Sequence, residues 1–255
     1  MKKSADTTRP LVGVLALQGG VEEHIAVLEG LGAATRRVRL PQDLDGLDGI
    51  ILPGGESSTI DKLARSFGVA EPLRRAVESG LPVLATCAGL IYSARELENP
   101  APGQQTLGLI DVTVRRNAFG NQRFSEERTV PVAMQSQWSD VEASEVGPRR
   151  TESRDTETND KGPGSITLDI EASFIRAPIV TRAGEGVEVI ATVPLPAPDI
   201  VSGGEGSGVG ARTRPAAGRE VIVGVRQGCV TALSFHPEEN GDSRLHAAWL
   251  ASLVR

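Results

Sequence analysis

The first hundred residues alternate short apolar runs with amphipathic stretches, and this alternation limits what the chain can fold into. Residues 11–17 are apolar apart from Gly13 and Gln18 closes the run, after which Val21, Ile25 and Leu28 recur at helical spacing. Residues 36–40 and 49–52 again read as strands, 59–66 and 71–79 as helices, 82–86 as a strand and 90–97 as a helix. Strands alternating with helices in this rhythm predict an α/β fold with an open, mostly parallel sheet and helices on both faces.

After residue 107 the pattern becomes strand-rich, with runs at 107–115, 165–170, 187–193, 221–225 and 230–235. A closing helix starts near Asp242, which suits an N-cap, and carries Leu245, Trp249, Leu250 and Leu253 on its apolar side. Two segments break the order. Residues 142–164 hold ten charged residues among 23, and residues 194–219 hold six Gly and four Pro among 26. Neither buries enough apolar surface to offset its ordering entropy, so both read as flexible insertions. Gly206-Ser-Gly208-Val-Gly210-Ala211 imitates a dinucleotide fingerprint, but no helix follows through Arg212-Thr-Arg-Pro215. The 255 residues therefore read as a single domain, 1–255, with its core at about 10–255.

Charge narrows the partners. Lys and Arg number 27 against 33 Asp and Glu, a net of −6, and aromatic residues make up 3% of the chain. That balance argues against a nucleic-acid or anionic-membrane binder. The run at 11–17 is too short to span a bilayer and lacks a cleavable small-residue site, so a cytoplasmic location is expected. Cys87 and Cys229 are expected as thiols, Cys229 as a small hydrophobe within a strand. The three histidines have no ligand spacing, so no metal site is expected.

Three stretches carry chemistry. The strand at 82–86 runs through Thr86-Cys87-Ala88-Gly89 into a helix, which is the layout of a nucleophile elbow. A helix N-terminus there favours a thiolate; an inert buried thiol is the other reading of Cys87 taken alone. At the other end of the chain, the strand at 230–235 stops at His236-Pro237-Glu238. An extended stretch held by Pro237 would point His236 and Glu238 the same way, giving a base and an orienting carboxylate for Cys87. Leu52-Pro53-Gly54-Gly55-Glu56-Ser57-Ser58 supplies two glycines between a strand and a helix, where backbone amides can face an oxyanion. Gln18-Gly19-Gly20 ends the first strand at the same carboxyl edge, where open α/β sheets bind ligands. His24 and His246 lie in amphipathic helical patterns and read as surface or core residues.

Together these motifs resemble the class I, triad-type glutamine amidotransferases, which have a flavodoxin-like α/β fold. Within them they resemble the glutaminase subunits of pyridoxal 5′-phosphate synthases. Thr86-Cys-Ala-Gly-Leu-Ile91 and Ser234-Phe-His-Pro-Glu238 mark the broad superfamily. The stretch from Val12 through Gln18 to His24, Arg116-Asn-Ala-Phe-Gly-Asn-Gln122 and Phe174-Ile-Arg-Ala-Pro178 are more specific to those subunits.

The resemblance implies glutamine hydrolysis with Cys87 as nucleophile and His236 and Glu238 as its relay. It implies a glutamine pocket of Gly55, Glu56, Ser57, Arg116, Ile175 and Arg176, with Gln18, Gly54 and Ala88 at the oxyanion hole or coupled to a partner. It further implies that ammonia passes to a separate synthase subunit, with pyridoxal phosphate as the product of that complex and no cofactor on this chain. Departures are Ala85 where the family usually has Gly, Glu239 where an apolar residue is common, the two insertions and a ten-residue leader. A glutaminase of another synthase, such as imidazole glycerol phosphate synthase, is the rival reading, opposed by the Arg116 and 174–178 motifs. A stand-alone cysteine hydrolase of the same fold commonly has His after the nucleophile, where Ala88 stands here.

Overall fold

A computed structural model describes residues 9–119, 126–135, 165–194 and 219–253. The segment 142–164 and all of the second insertion but its end residues Pro194 and Arg219 lie outside the described residues, as do Gly120, Asn121 and Gln122.

The parallel centre consists of β1 (Leu11–Leu15), β2 (Ala34–Val38), β3 (Gly49–Leu52) and β4 (Val83–Thr86), in the order β2-β1-β3-β4. Every residue of β3 and β4 is buried, as strands covered on both faces must be. Their side chains alternate between two core layers. Ile51 and Leu84 join the layer holding residues of α1 (Val21–Gly30) and α5 (Arg244–Ala251). Ile50, Leu52, Val83 and Ala85 join the layer of α2 (Ser57–Ser66), α3 (Ala70–Glu78) and α4 (Ala88–Ser93). Each fully buried Ile or Leu here contributes roughly 1.5–3 kcal/mol.

Beyond β4 the sheet turns mixed. β12 (Val230–Leu233) pairs parallel with β4 and antiparallel with β11 (Glu220–Gln227). Then follow β9 (Ile179–Ala183), β6 (Ile110–Arg115) and β5 (Ala94–Leu97), while β10 (Glu188–Pro194) pairs with β11. A separate antiparallel pair, β7 (Glu126–Gln135) and β8 (Ser165–Phe174), sets Val130 opposite Ile170. Its Val130, Val132, Ile170 and Phe174 extend the core layer of α1 and α5, with Phe174 ringed by Phe119 at 4.8 Å and Phe235 at 5.5 Å.

Several features differ from the sequence expectation, which held no strand over Glu126–Gln135 or Ile179–Ala183. The helix expected over 90–97 ends at Ser93, and Ala94–Leu97 is strand β5. Ala94 turns extended (φ −64°, ψ 152°), and the parallel ladder with β6 outweighs the helical propensity of the sequence. Cys229 lies in the turn before β12 rather than within it, half-buried, with its thiol on the Val77 carbonyl at 3.6 Å. Among the described residues no helix is long and apolar enough to cross a membrane.

Candidate active site

Adjacent parallel strands bring the two ends of the chain to one edge. Thr86 of β4 pairs with Leu233 of β12, and the Cys87 amide donates to the Leu233 carbonyl at 2.8 Å. Both strands therefore end side by side, delivering Cys87 and His236 to the same carboxyl edge. Cys87 is the residue before α4 and has φ 46°, ψ −100°, a conformation strained for an L side chain. The close packing of α4 needs Gly89, where a Cβ would meet the Leu52 carbonyl oxygen at 2.0 Å.

His236 is held by a two-stranded bridge to Ser173, its amide donating to the Ser173 carbonyl at 3.0 Å. Its Nδ1 lies 2.8 Å from Glu238 Oε1, and its imidazole interacts favourably with Cys87. The expected extended spacing is not how this pair forms. Pro237 is helical (φ −69°, ψ −29°) and opens a short 3-10 turn over Glu238–Asn240, which folds the carboxylate back under the ring. Burial pulls the His236 pKa down, but the interactions with Cys87 and Glu238 outweigh it and hold the imidazole well above its ordinary range. Burial likewise raises Glu238, yet His24 and His236 together bring its carboxyl below the ordinary value.

Gly54 lies flush against His236: a Cβ there would meet the ring's Cε1 at 2.1 Å. Gln18 fixes this loop through its Oε1, which accepts the Glu56 amide at 2.6 Å. Beside it opens a cleft of about 300 Å³ lined by Gly55, Glu56, Ser57, Cys87, Ile91, Arg116, Asn117, Ile175 and Arg176. All six expected pocket residues thus meet the expected nucleophile, while Gln18, Gly54 and Ala88 flank it. Cys87, Asn117 and Arg176 are the non-glycine residues with positive φ among the described residues, and all three line this cleft. Strain of about 1–3 kcal/mol per residue is the kind that gathers at active sites and ligand clamps, which makes this cleft the candidate site.

The Arg116 guanidinium reaches Glu56 Oε1 at 3.0 Å and Gln104 Oε1 at 2.9 Å. Gln104 in turn donates to Ser57 Oγ at 3.0 Å, and Asn99 accepts the Arg116 amide at 2.8 Å. An anion and a cation thus stand together at the cleft mouth, a match for a ligand bearing both charges.

Four contributors escaped the sequence reading. Ile91 and Asn117 line the cleft, and Gln104 braces Arg116 from a Pro-Gly loop that gives no signal. His24 is the fourth, fully buried behind Glu238. Its signal was present, since position 24 falls on the same helical face as Val21, Ile25 and Leu28. No group of three or more His, Cys, Asp or Glu suited to a metal occurs among the described residues.

Comparison with known proteins gives a consistent picture. A family model described as the SNO glutamine amidotransferase family matches residues 14–144. The chain is 52% identical to pyridoxal 5′-phosphate synthase subunit PdxT of Corynebacterium glutamicum, with 94% of each chain covered. It is 52% identical to the protein of that name from Cutibacterium acnes, covering 94% of this chain and 96% of the relative. A solved structure described as a glutamine amidotransferase superposes with a TM-score of 0.65 at 38% identity, over 94% of this chain and 98% of the other.

Proposed function

The chain belongs to the SNO glutamine amidotransferase family, and from that premise we propose that it is the glutaminase subunit of a pyridoxal 5′-phosphate synthase. It hydrolyses L-glutamine to glutamate and ammonia. The ammonia passes to a separate synthase subunit, which builds pyridoxal phosphate from a pentose phosphate and a triose phosphate. Pyridoxal phosphate is then the product of the complex and not a cofactor of this chain. The subunit works as one domain, in the cytoplasm.

What supports this most is the strained Cys87, coupled to the hydrogen-bonded His236–Glu238 pair, facing a cleft whose mouth carries Arg116 beside Glu56. Glutamine is a zwitterion. Its α-carboxylate suits the Arg116 guanidinium and its α-ammonium suits the Glu56 carboxylate, with Gly55, Ser57, Ile175 and Arg176 completing the pocket. The raised His236 pKa favours an imidazolium facing Cys87, the form that can give a proton to the leaving ammonia.

The thiolate attacks the side-chain amide carbon, and the carbonyl electrons move onto oxygen. Backbone amides in the Gly54–Gly55 loop and at Ala88 hold that oxyanion, with Gln18 fixing the loop. The oxyanion collapses, the carbon–nitrogen bond breaks, and His236 gives its proton to the departing ammonia. This leaves a γ-glutamyl thioester on Cys87. Water then adds to the thioester while His236 takes its proton, and the thiolate leaves to free glutamate.

The test pairs the purified chain with its synthase and follows ammonia from glutamine. A diazo-ketone glutamine analogue is expected to add mass at Cys87 and not at the half-buried Cys229. No glutamine-dependent ammonia with the synthase present, or label at Cys229 instead, would overturn the reading.

A further inference from the structure

The strongest unused feature lies behind the triad. His24 and His246 are both fully buried, and neither belongs to the Cys87–His236–Glu238 set. His24 Nε2 lies 3.4 Å from Glu238 Oε1 and 3.1 Å from Thr86 Oγ1, the residue before the nucleophile. His24 Nδ1 lies 2.9 Å from His246 Nε2. We propose that His24 is a positioning residue for the hydrolysis, donating from Nε2 to Thr86 Oγ1 at the end of the elbow and holding its N–H edge against the Glu238 carboxylate, while His246 sets its tautomer. This rests on the glutaminase reading above.

Hydrogen-bond logic assigns the proton positions. If His24 carried its proton on Nδ1, its Nε2 lone pair would face a carboxylate oxygen, and His246 would be left with a buried N–H on Nδ1. That nitrogen has no partner among the described residues, and a buried orphan N–H is rarer and costlier than a bare lone pair. The reverse arrangement meets both hydrogen bonds: His246 Nε2–H donates to His24 Nδ1, and His24 Nε2–H donates to Thr86 Oγ1, with Glu238 Oε1 3.4 Å from the same nitrogen. Burial, the largest influence, lowers the pKa of both histidines, so both are neutral and a single tautomer is held.

Glu238 needs this support. Its Oε1 already serves His236 Nδ1, and its Oε2 is buried without a partner among the described residues. With His24 replaced, the carboxylate is braced by His236 and its own backbone, and its aim under the imidazole loosens. The charged and titratable groups facing His24 are Glu238 and His236 at the end of the sheet, Glu23 on its own helix and His246 on α5, which also senses Asp242. An N–H dipole aimed at the carboxylate favours its ionised form even from a neutral imidazole, so loss of His24 moves that carboxyl upward.

Two amides separate the contacts. Asn at position 24 places its nitrogen or oxygen near Nδ1 and reaches His246; Gln places its amide N–H near Nε2 and reaches Glu238. With synthase present, His24→Asn is expected to lower kcat about 10- to 100-fold with KM for glutamine within about threefold, and to move the acid limb of the kcat/KM profile to higher pH. His24→Gln is expected to recover most of that loss and to restore the acid limb. Should the Asn variant fail to fold, His24→Met against His24→Gln makes the same comparison, since both are unbranched and only Gln donates. Equal kcat and equal acid limbs in donor and non-donor variants would overturn the inference while wild-type turnover leaves the glutaminase reading standing. Wild type without turnover would overturn both.

Discussion

Cys87, His236 and Glu238 are 7%, 7% and 6% exposed, whereas across the same cleft the Glu56 side chain is 42% exposed and Ile175 is 37% exposed. On the buried wall each polar group leans on another protein group, through Glu238, His24, Thr86 and Ser173, and burial shifts the pKa values. On the open wall Glu56 reaches solvent and, with Gln104, holds the more buried Arg116 guanidinium. The first wall is built so that geometry persists with or without ligand. The second keeps its charges exchangeable, ready to trade a neighbour for substrate. Damage to the first should therefore read out in kcat, and damage to the second in KM.

The largest effect expected is that of Cys87→Ala, which removes the nucleophile and should lower glutamine turnover by about ten-thousand-fold or more. Glutamine binding by calorimetry should persist, because none of the open wall's charges is touched. Loss of binding together with turnover would mean that the two walls are not separable. Next in size is Gly54→Ala. A Cβ 2.1 Å from His236 Cε1 cannot be accommodated unless the ring or the loop moves. Displacement of about 1 Å at a reacting group costs on the order of a hundredfold in rate, so kcat should fall by that order with a smaller change in KM. A normal kcat would show that the imidazole has slack, contrary to its packing.

Arg116→Ala should act on the other wall. Losing a charged hydrogen bond of about 1.5–3 kcal/mol raises KM by about 10- to 100-fold, with kcat changed only a few-fold. The same kinetic assay reports both constants. A kcat loss matching the KM rise would place Arg116 with the chemistry rather than with binding.

The two walls also differed in how far the sequence revealed them. The elbow was readable because Cys87 follows an all-buried strand whose apolar run admits few alternatives, and His236 was readable because the run at 230–235 stops at it, just before Pro237. How those pieces join was less legible. Glu238 reaches His236 through a helical turn at Pro237, and a spacing of two residues is equally consistent with an extended stretch. His24 was hidden for a related reason: a histidine on an apolar helical face looks like any satisfied core residue until its partner, far along the chain, is known. On the open wall, Arg116, Ile175 and Arg176 came from family motifs and not from periodicity. Gln104 came from neither, since a loop brace depends on tertiary placement alone. The split of 90–97 into α4 and β5 shows the same limit, as a ladder with β6 decides it.

The smallest effect sharpens the contrast within the buried wall, between the triad histidine and the pair behind it. Burial pushes the His246 imidazole down to about 3 and also lowers His24, each from 6.5. Below pH 6.5 the unfolded chain therefore binds protons at these positions that the folded chain refuses, and stability falls as pH falls. His236, with a raised folded pKa, has the opposite sign: its contribution is complete below 6.5 and is lost as pH rises through its folded value. Glu238, with a lowered folded pKa, loses its contribution only as pH drops beneath 4.5. Between pH 6.5 and 4.5 the histidine pair thus dominates among these groups, with His246 adding up to about 1.4 kcal/mol per pH unit and His24 acting in the same direction. His246→Gln removes one of the two titrations and keeps an amide N–H within reach of His24 Nδ1. Urea unfolding across this window is expected to show a clearly smaller loss of stability in the variant than in the wild type. An unchanged slope would mean that His246 accepts a proton in the folded state, and the buried pair would then resemble the triad histidine it is contrasted with.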